Sequence, residues 1–410
     1  MTSELKQNSS LKLDEMDKSN WKILQFDQIA ENISERVDPN NTDLQCYVGL
    51  EHLDSNSIHI NRHGTPDDVN GQKLRFYKGD IIFGRRRAYL RKAAVAKTDG
   101  FCSAHALVLR AKKDVIDPLL FPFFMHSDTF MHKAIDISVG SLSPTINWGT
   151  LKHQEFRVPP KSLQTFLVDI FTKIDKARIA GKIFDEKLST YYIVKSRELL
   201  QGLFLKTDTI KHKNMPVIPS CWKLVQIGQL FEKVSTKNKN AACQNVLTIS
   251  AKGGLVNQEE YFNKSVASKD LSNYFLLENG DFAYNKSYSD GYPAGAIKRL
   301  KDYQNGVVSP LYICFKALCS DLQARYFEHL FESGFLNQQI LAVAKEGARN
   351  HGLLNVAVDD FFGLKIPLPD DFVIEKILIE LNRLGDLLSS NADHTEKVSK
   401  LQESIINKVF

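Results

Sequence analysis

Several features typical of membrane, secreted and metal-binding proteins are missing from this sequence. No apolar run is long enough to span a membrane, and the first ten residues lack the apolar core and small-residue cleavage site of a signal peptide. The six cysteines form no Cys-x-x-Cys pair, so neither a disulfide framework nor a zinc site is expected. Cys314 and Cys319 are predicted to be small buried side chains, and His52, His59 and His63 to be solvated loop residues. We expect a soluble cytoplasmic protein.

Motifs of catalysis are absent as well. The chain has no Gly-x-x-x-x-Gly-Lys-Ser/Thr phosphate loop, no Asn/Asp-Pro-Pro-aromatic motif for methyl transfer to amino groups, and no glycine-rich turn for S-adenosylmethionine. The Val-Pro-Pro-Lys sequence at 158–161 lacks both the polar first residue and the aromatic ring of the second motif. The Glu-x-Lys spacing of a common nuclease core does not occur near residues 369–376. The sequence therefore predicts no catalytic residues and no metal ligands.

What the chain does contain is a repeat of itself. Residues 21–29 recur at 222–230, and residues 79–83 recur at 280–284, both at an offset of 201. Further on the register drifts by a few residues, as loops of different length would produce. The later matches are 103–109 with 309–315, 146–148 with 354–356, and 156–159 with 364–367. A period this long excludes a solenoid and indicates a duplicated domain.

The repeat predicts the order domain, helix, domain, helix. Short apolar runs at 81–83, 93–96 and 106–109 predict strands, and 119–132 and 322–341 predict helices. The expected fold class is α+β, with two mixed α/β domains separated by two long antiparallel coiled-coil helices and an internal pseudo-two-fold repeat. The predicted limits are 1–20 for a polar tail or short added helix, 21–160 for the first domain, 161–205 for the first helix, 206–369 for the second domain and 370–410 for the second helix.

Both long helical stretches carry apolar residues spaced by four and three, as in a heptad repeat. In the first stretch these are Leu163, Leu167, Ile170, Ile174, Ala177, Gly181, Phe184, Leu188 and Tyr191; in the second they are Ile374, Ile377, Leu381, Leu384, Leu388, Asn391, Val398 and Leu401. Forty helical residues span roughly 60 Å. An antiparallel pair would hold two domains apart, which suits a target in two parts. Asn391 either fixes the register of the pair or faces solvent where the heptad drifts.

Basic, aromatic and polar residues collect at matching places in the two repeats, where strands give way to loops. After the first Gly-Asp strand come Arg85, Arg86, Arg87, Tyr89, Arg91 and Lys92, and after the second come Lys286, Tyr288, Ser289 and Tyr292. Later loops supply Ser141, Ser143 and Asn147 in the first domain and Lys345, Arg349, Asn350 and His351 in the second. Such side chains bind phosphates and base edges.

A run of charge is as often a solvated face, but divergent loops on a shared frame favour two surfaces that bind different DNA half-sites. The net charge of +5 permits a polyanionic partner. Trp21 and Trp222 are predicted to pack in the core rather than to stack on bases.

From about Trp21 to Phe410 the chain resembles the specificity subunits of type I restriction-modification systems. The resemblance rests on the opening Trp segment, the Gly-Asp-Ile-Ile-Phe strand, the Val-Pro-Pro and Ile-Pro-Leu-Pro helix starts and the Leu-Leu-x-x-Leu-Phe helix end, in an order given twice. Family members often carry a Glu-Gln pair soon after the helix-start prolines. Here those places are Gln164-Thr165 and Glu375-Lys376, which puts in doubt a subunit contact made by that pair.

The resemblance implies a non-catalytic subunit. Each domain would be a target recognition domain for one half of a split site in double-stranded DNA, and the helices would set the gap between the halves and bind partners. Those partners would be two methyltransferase subunits and the restriction/translocase subunits, which would use S-adenosylmethionine, ATP and Mg²⁺, while this chain would bind no cofactor. The alternatives are a DNA-recognition subunit of a related methylation or phage-defence system, and a coiled-coil scaffold that does not bind DNA.

Overall fold

The structure, a computed structural model, describes residues 16–250, 253–262, 270–289, 291–344 and 354–410. It divides into two compact units. Unit 1 comprises Met1–Phe184 and Asn391–Phe410, and unit 2 comprises Asp185–Ser390. Both long helices are thus shared between the units. In the described part of the chain, no helix has the length and apolar character needed to cross a membrane.

Unit 1 begins with a mixture of short strands and one-turn helices and ends in a long helix. Its elements are β1 Lys22–Gln25, α1 Phe26–Ile29, β2 Ala30–Ile33, β3 Arg36–Val37, β4 Tyr47–Val48, β5 Lys73–Phe76, β6 Ile81–Gly84, β7 Ala93–Val95, β8 Gly100–Cys102, β9 Ala106–Ala111, α2 Phe121–Met125, α3 Asp128–Asp136, α4 Trp148–Leu151, β10 Glu155–Val158 and α5 Lys161–Leu200. Two four-stranded sheets, in the orders β2-β9-β6-β7 and β3-β5-β8-β4, form its frame, and β1 pairs with β10. All pairs are antiparallel except β4 with β8.

Unit 2 repeats this arrangement. Its elements are β11 Thr209–Lys211, β12 Val217–Pro219, β13 Lys223–Gln226, α6 Ile227–Leu230, β14 Phe231–Lys233, β15 Leu247–Ser250, β16 Gly254–Asn257, α7 Gln258–Phe262, β17 Phe275–Glu278, β18 Phe282–Asn285, β19 Ala296–Arg299, β20 Asn305–Val308, β21 Ile313–Ala317, α8 Asp321–Glu332, α9 Asn337–Val343, α10 Val358–Phe362, β22 Lys365–Leu368 and α11 Asp371–Val409. The sheet β14-β21-β18-β19 corresponds to β2-β9-β6-β7, and β13-β22 corresponds to β1-β10. The expected α+β fold and its internal repeat are confirmed.

The repeated sequence motifs have local structural causes. In both repeats a glutamine side chain caps a one-turn helix: Gln28 Oε1 accepts the Gln25 N–H at 2.8 Å, and Gln229 Oε1 accepts the Gln226 N–H at 2.8 Å. These bonds satisfy donors that the start of a helix leaves unpaired. Trp21 and Trp222 are buried, with 6% and 8% of their surface exposed, which confirms the prediction that they pack in the core.

The shared Gly-Asp pair forms a turn before the central strand of each unit. Gly79 and Gly280 have φ values of 94° and 96°, a conformation that favours glycine. The carboxylate of the next residue accepts the backbone N–H three positions earlier, from Tyr77 to Asp80 and from Glu278 to Asp281, both at 2.9 Å. This motif is therefore structural.

The long helices pair antiparallel, as expected. In unit 1, Gln402 of α11 donates to Asp175 of α5 at 3.3 Å. Gly181, six residues later in α5, lies against Thr395, seven residues earlier in α11, so the two helices run in opposite directions. A Cβ at Gly181 would come within 2.7 Å of the Thr395 hydroxyl oxygen, so glycine permits the close approach. In unit 2, Leu199 of α5 lines one groove with residues 376–380 of α11.

The predicted heptad positions are correct for only part of this pair. Ile374, Ile377, Leu381 and Leu384 of α11 are buried as predicted, but Leu401 is 51% exposed. In α5 the predicted Phe184 and Tyr191 are each 53% exposed, and Ala177 is exposed. Leu167 of α5 is buried as predicted, but the buried face also contains Gln164, Phe171, Asp175 and Arg178 in α5, and Thr395, Gln402, Ile406 and Val409 in α11. Asp175 accepts hydrogen bonds from both Arg178 and Gln402 on this face, so a search for apolar residues alone did not find it.

Three other predictions need correction. The helix predicted at 119–132 is broken, because Ser127 caps α3 by accepting the Phe130 N–H. The stretch predicted at 322–341 is broken between α8 and α9, where Gly334 has a φ of 77°. Cys314 is buried as predicted, whereas Cys319 is only partly buried. Asn391 is half-buried.

Candidate nucleic-acid interface

The two loops that the sequence nominated in unit 1 lie against each other. The Ile146 N–H donates to the Arg85 carbonyl at 2.9 Å, and the Arg87 N–H donates to the Pro144 carbonyl at 2.8 Å. We call the combined surface of residues 85–92 and 139–147 the paired loops. Because these bonds join backbone atoms, they place the two loops on one surface whatever their side chains are.

The paired loops expose several of the predicted DNA-binding side chains. Arg86, Arg87, Ser141 and Asn147 are exposed, and Tyr89 is 52% exposed. Arg85 and Ser143 are half-buried. In the part of the chain that the structure describes, the guanidinium groups of Arg86 and Arg87 have no hydrogen-bond or ion-pair partner. They are therefore available to an external anion.

The conformation of the first loop is unusual. A single 3-10 turn, Ala88–Leu90, lies between Arg87 and Arg91, which have φ values of 52° and 50°. Such left-handed geometry is uncommon outside glycine and is found preferentially at functional sites.

Two of the nominated residues are held by internal partners. Arg91 donates to the Asp128 carboxylate and to the His126 carbonyl, both at 2.6 Å. Lys92 donates to the Leu50 carbonyl at 2.7 Å. Their side chains fasten the loop to the domain, and a role for them in contacting DNA remains a prediction.

His105 is exposed and lies near enough to Arg85, Arg86 and Lys73 for their charges to act on it, although sequence reasoning did not nominate His105 or Lys73. Burial lowers the pKa of His105, and the nearby charges of Arg86, Arg85 and Lys73 lower it further. Three cations around one imidazole mark a region of positive potential. His105 was missed because it is a lone histidine within an apolar segment, and no spacing pattern connects it to the loops.

Unit 2 repeats the junction. The Leu354 N–H donates to the Lys286 carbonyl at 3.0 Å, which is the equivalent of the bond from Ile146 to Arg85. Tyr288 is 62% exposed, and Ser289 is exposed. Ser289 and Tyr292 exchange backbone hydrogen bonds of 3.2 and 2.9 Å. The predicted Lys345, Arg349, Asn350 and His351 lie outside the described residues.

Tyr292 is less available than Tyr288. Its hydroxyl group donates to Glu332 and accepts from Lys298 at 3.0 Å. Partial burial raises the pKa of Tyr292, and the hydrogen bond to Glu332 raises it further. The side chain is thus engaged within unit 2.

The prediction that all three histidines near residue 60 are solvated is wrong for His59. Its Nε2 lies 2.5 Å from Asp175 Oδ2, which ties the loop to α5. Burial alone would raise the pKa of Asp175, but the hydrogen bonds and charges of His59 and Arg178 lower it to about 2. His63 is exposed, and His52 accepts the Gly49 N–H at 3.0 Å.

The paired loops present groups that can bind an anion or a polar surface. Among the described residues, no three His, Cys, Asp or Glu side chains are close enough to hold a metal ion. The exposed groups of the paired loops are guanidinium, hydroxyl, amide and phenol groups, which are hydrogen-bond donors to phosphates and base edges.

The chain is similar to known restriction-modification proteins. Residues 19–184 match the family model described as the type I restriction modification DNA specificity domain. Over 144 residues, the chain is 29% identical to the specificity subunit of the type I restriction enzyme EcoDI from Escherichia coli. That match covers 35% of this chain and spans 32% of the length of the relative.

Two solved structures share the fold over nearly their whole length. One is described as showing the structural basis of complex assembly and conformational transition of a type I R-M system, with a TM-score of 0.58, 14% identity and coverage of 95% of this chain and 97% of that chain. The other is the type I S subunit from M. genitalium, with a TM-score of 0.52, 12% identity and coverage of 97% and 98%.

The likeness to these structures shows that the chain shares their fold. Over residues 19–184 the chain is thus similar to the DNA specificity domain of type I restriction-modification systems.

Proposed function

We propose that this chain recognises a split site in double-stranded DNA and is itself not an enzyme. Residues 21–160 and 206–369 act as target recognition domains, one for each half of the site. Residues 161–205 and 370–410 form the spacer that sets the gap between the halves. The observation that carries the proposal is the backbone junction between the paired loops, from Ile146 to Arg85, together with its counterpart from Leu354 to Lys286 in unit 2.

The partners in this proposal perform the chemistry. Two methyltransferase subunits and the restriction/translocase subunits bind the chain in the cytoplasm and use S-adenosylmethionine, ATP and Mg²⁺, and the chain binds none of these. The missing catalytic motifs support this division of roles. Arg86 and Arg87, which follow β6, are exposed, and their side chains have no internal partners in the described part of the chain. This favours DNA binding over a protein-binding scaffold, because a scaffold does not require unpaired guanidinium groups there.

Adenine methylation provides the direct test. The chain is co-expressed with the methyltransferase encoded beside it in a host without DNA adenine methylation, and methylated adenines are mapped across the genome. We expect one split motif with a fixed unspecified gap. A complex that assembles and binds S-adenosylmethionine but leaves no modification would instead favour the scaffold.

A domain exchange tests the assignment of each half. Replacing residues 21–160 with the same domain of a relative should change one half of the methylated motif and leave the other half and the gap unchanged. A change in both halves would contradict the assignment of one domain to each half. A restriction/translocase gene beside the chain separates the type I assignment from a methylation or phage-defence system that lacks one.

A further inference from the structure

We propose that Leu142 inserts into the DNA duplex between neighbouring base pairs and unstacks them, as an apolar wedge beside the arginines of the paired loops. This inference rests on the proposed function. It adds a positioning residue that acts by deforming the duplex rather than by hydrogen bonds to bases.

The first argument is exposure. Leu142 is 91% exposed, the highest value of any large hydrophobic side chain in the described ranges. A leucine in that position contributes nothing to the core of unit 1, and its exposure to water is unfavourable relative to burial. Its neighbours Ser141 and Ser143 are polar, and the other strongly exposed large apolar or aromatic side chains of the paired loops are Val139 at 71% and Tyr89 at 52%. Leu142 therefore protrudes beyond a surface that is otherwise mixed in polarity.

The second argument is rigidity. Val139 and Thr145 exchange backbone hydrogen bonds of 3.1 and 3.0 Å, which close the loop below Leu142. The Thr145 hydroxyl donates to the Ser143 carbonyl at 3.0 Å. Gly140 has a φ of 117°, which favours glycine and permits the tight reversal. A loop fixed in this way presents its leucine without a large loss of backbone entropy on binding.

The third argument is charge. The bonds from Ile146 to Arg85 and from Arg87 to Pro144 hold this loop against the arginine loop. Arginines that neutralise phosphates beside a protruding leucine are the combination found in proteins that kink DNA. In such proteins leucine or another apolar side chain enters a base step, and additional contacts to the bent duplex offset the cost of unstacking.

The test uses the full chain in its co-expressed methyltransferase complex. The probe is a duplex carrying the methylated motif, with 2-aminopurine placed at successive positions of the half-site assigned to residues 21–160. The methylated adenine is left unlabelled, because the partner is expected to flip that base. 2-Aminopurine fluoresces more strongly when it is unstacked.

We expect one base step at which binding raises the fluorescence several-fold. Leu142→Ala should return the signal at that step to the level of free duplex and weaken binding by roughly tenfold, while Leu142→Phe should keep the signal. Leu119→Ala removes a leucine that is 64% exposed elsewhere in unit 1, and both readouts should be unchanged in that control.

Three results would overturn the wedge and leave DNA recognition intact. They are DNA binding without enhanced fluorescence at any step, an unchanged fluorescence pattern in Leu142→Ala, and weaker binding of Leu142→Ala with the fluorescence preserved. Failure of the wild-type complex to bind its methylated motif would overturn the proposed function itself.

Discussion

Phe410 packs edge-on against Phe124, with the ring centroids 5.3 Å apart and the planes at 76°. Residues 391–410 thereby contribute to the core of unit 1, although unit 2 lies between them and the rest of unit 1 in the sequence. One turn earlier, Asn407 accepts the Asp128 N–H at 2.8 Å and donates to its carboxylate at 2.7 Å. The end of α11 is thus held by both aromatic and polar contacts.

Phe410→Ala should lower the free energy of unfolding of unit 1 by about 2 to 3 kcal/mol, because a partly buried aromatic ring is lost from a packed cluster. Urea unfolding of the full chain, followed by tryptophan fluorescence, measures this change. Leu401→Ala is the matched control on the same helix, where the side chain is 51% exposed. It should cost less than about 0.5 kcal/mol. Equal losses in the two variants would contradict the structural role of Phe410.

The two equivalent aspartates of the Gly-Asp turns should respond differently to neutralisation. Asp80 accepts two hydrogen bonds from Arg110, at 2.7 and 2.9 Å, whereas burial raises the pKa of Asp281 and no arginine pairs with it in the described structure. Asp80→Asn should cost about 2 to 3 kcal/mol, since it leaves the arginine without its anion. Asp281→Asn should cost less than about 1 kcal/mol, because the amide oxygen keeps the backbone bond. Thermal unfolding compares them, and a reversed order would refute the argument.

His126 should make the protein less stable in mild acid. Burial lowers the pKa of His126 to about 4 from 6.5, and the charges of Arg91 and Arg178 act in the same direction, against Asp175 and the hydrogen bond to the Ala93 carbonyl. The folded state therefore binds a proton less readily than the unfolded state. The neutral form of His126 therefore contributes to the free energy of unfolding. This contribution is fully present above about pH 6.5 and decreases as the pH drops toward 4, by at most about 3 kcal/mol.

Urea unfolding at pH 7, 6 and 5 measures that loss. His126→Gln should flatten the profile in this window, and His63→Gln, at an exposed histidine, is the control. A profile that stays equally steep in His126→Gln would assign the loss to other groups.

Removing the two bare guanidinium groups should reduce the salt dependence of DNA binding. For the Arg86→Ala, Arg87→Ala double variant, the slope of log affinity against log salt should fall by about 2, since each phosphate contact contributes roughly 0.9. Lys97→Ala removes an exposed cation at the other end of the β6–β7 hairpin, and its slope should match that of the wild type. Titration of the methyltransferase complex with labelled duplex at four salt concentrations measures the slopes. If the double variant and Lys97→Ala had identical slopes, the paired loops would not be in contact with DNA phosphates.

The repeat made much of the fold predictable. Matching motifs at a constant offset, such as Gly79-Asp80 and Gly280-Asp281, mark the same turn twice. A structure assigned to a motif in one repeat therefore also predicts the structure of its counterpart in the other. The faces of α5 were less predictable. Asp175 and Arg178 are buried because they pair with each other, and a search for apolar spacing does not find such residues.

The interface was predictable only in its residue types. Sequence composition nominated residues 85–92 and 141–147 separately, but their junction depends on two backbone bonds between segments about 60 residues apart. Likewise, nothing in the sequence around Arg91 shows that its side chain lies between Asp128 and the His126 carbonyl. Long-range register, rather than local propensity, decides these contacts.

The split composition of unit 1 also sets an order of events during protein synthesis. The ribosome releases residues 1–184 first, but Phe124 and Phe171 cannot meet Phe410 until the whole of unit 2 has been translated. That delay is on the order of tens of seconds at bacterial elongation rates. Unit 2 is then the first unit whose residues are all available to fold. Until the last helical turns emerge, the aromatic cluster of unit 1 lacks the ring of Phe410.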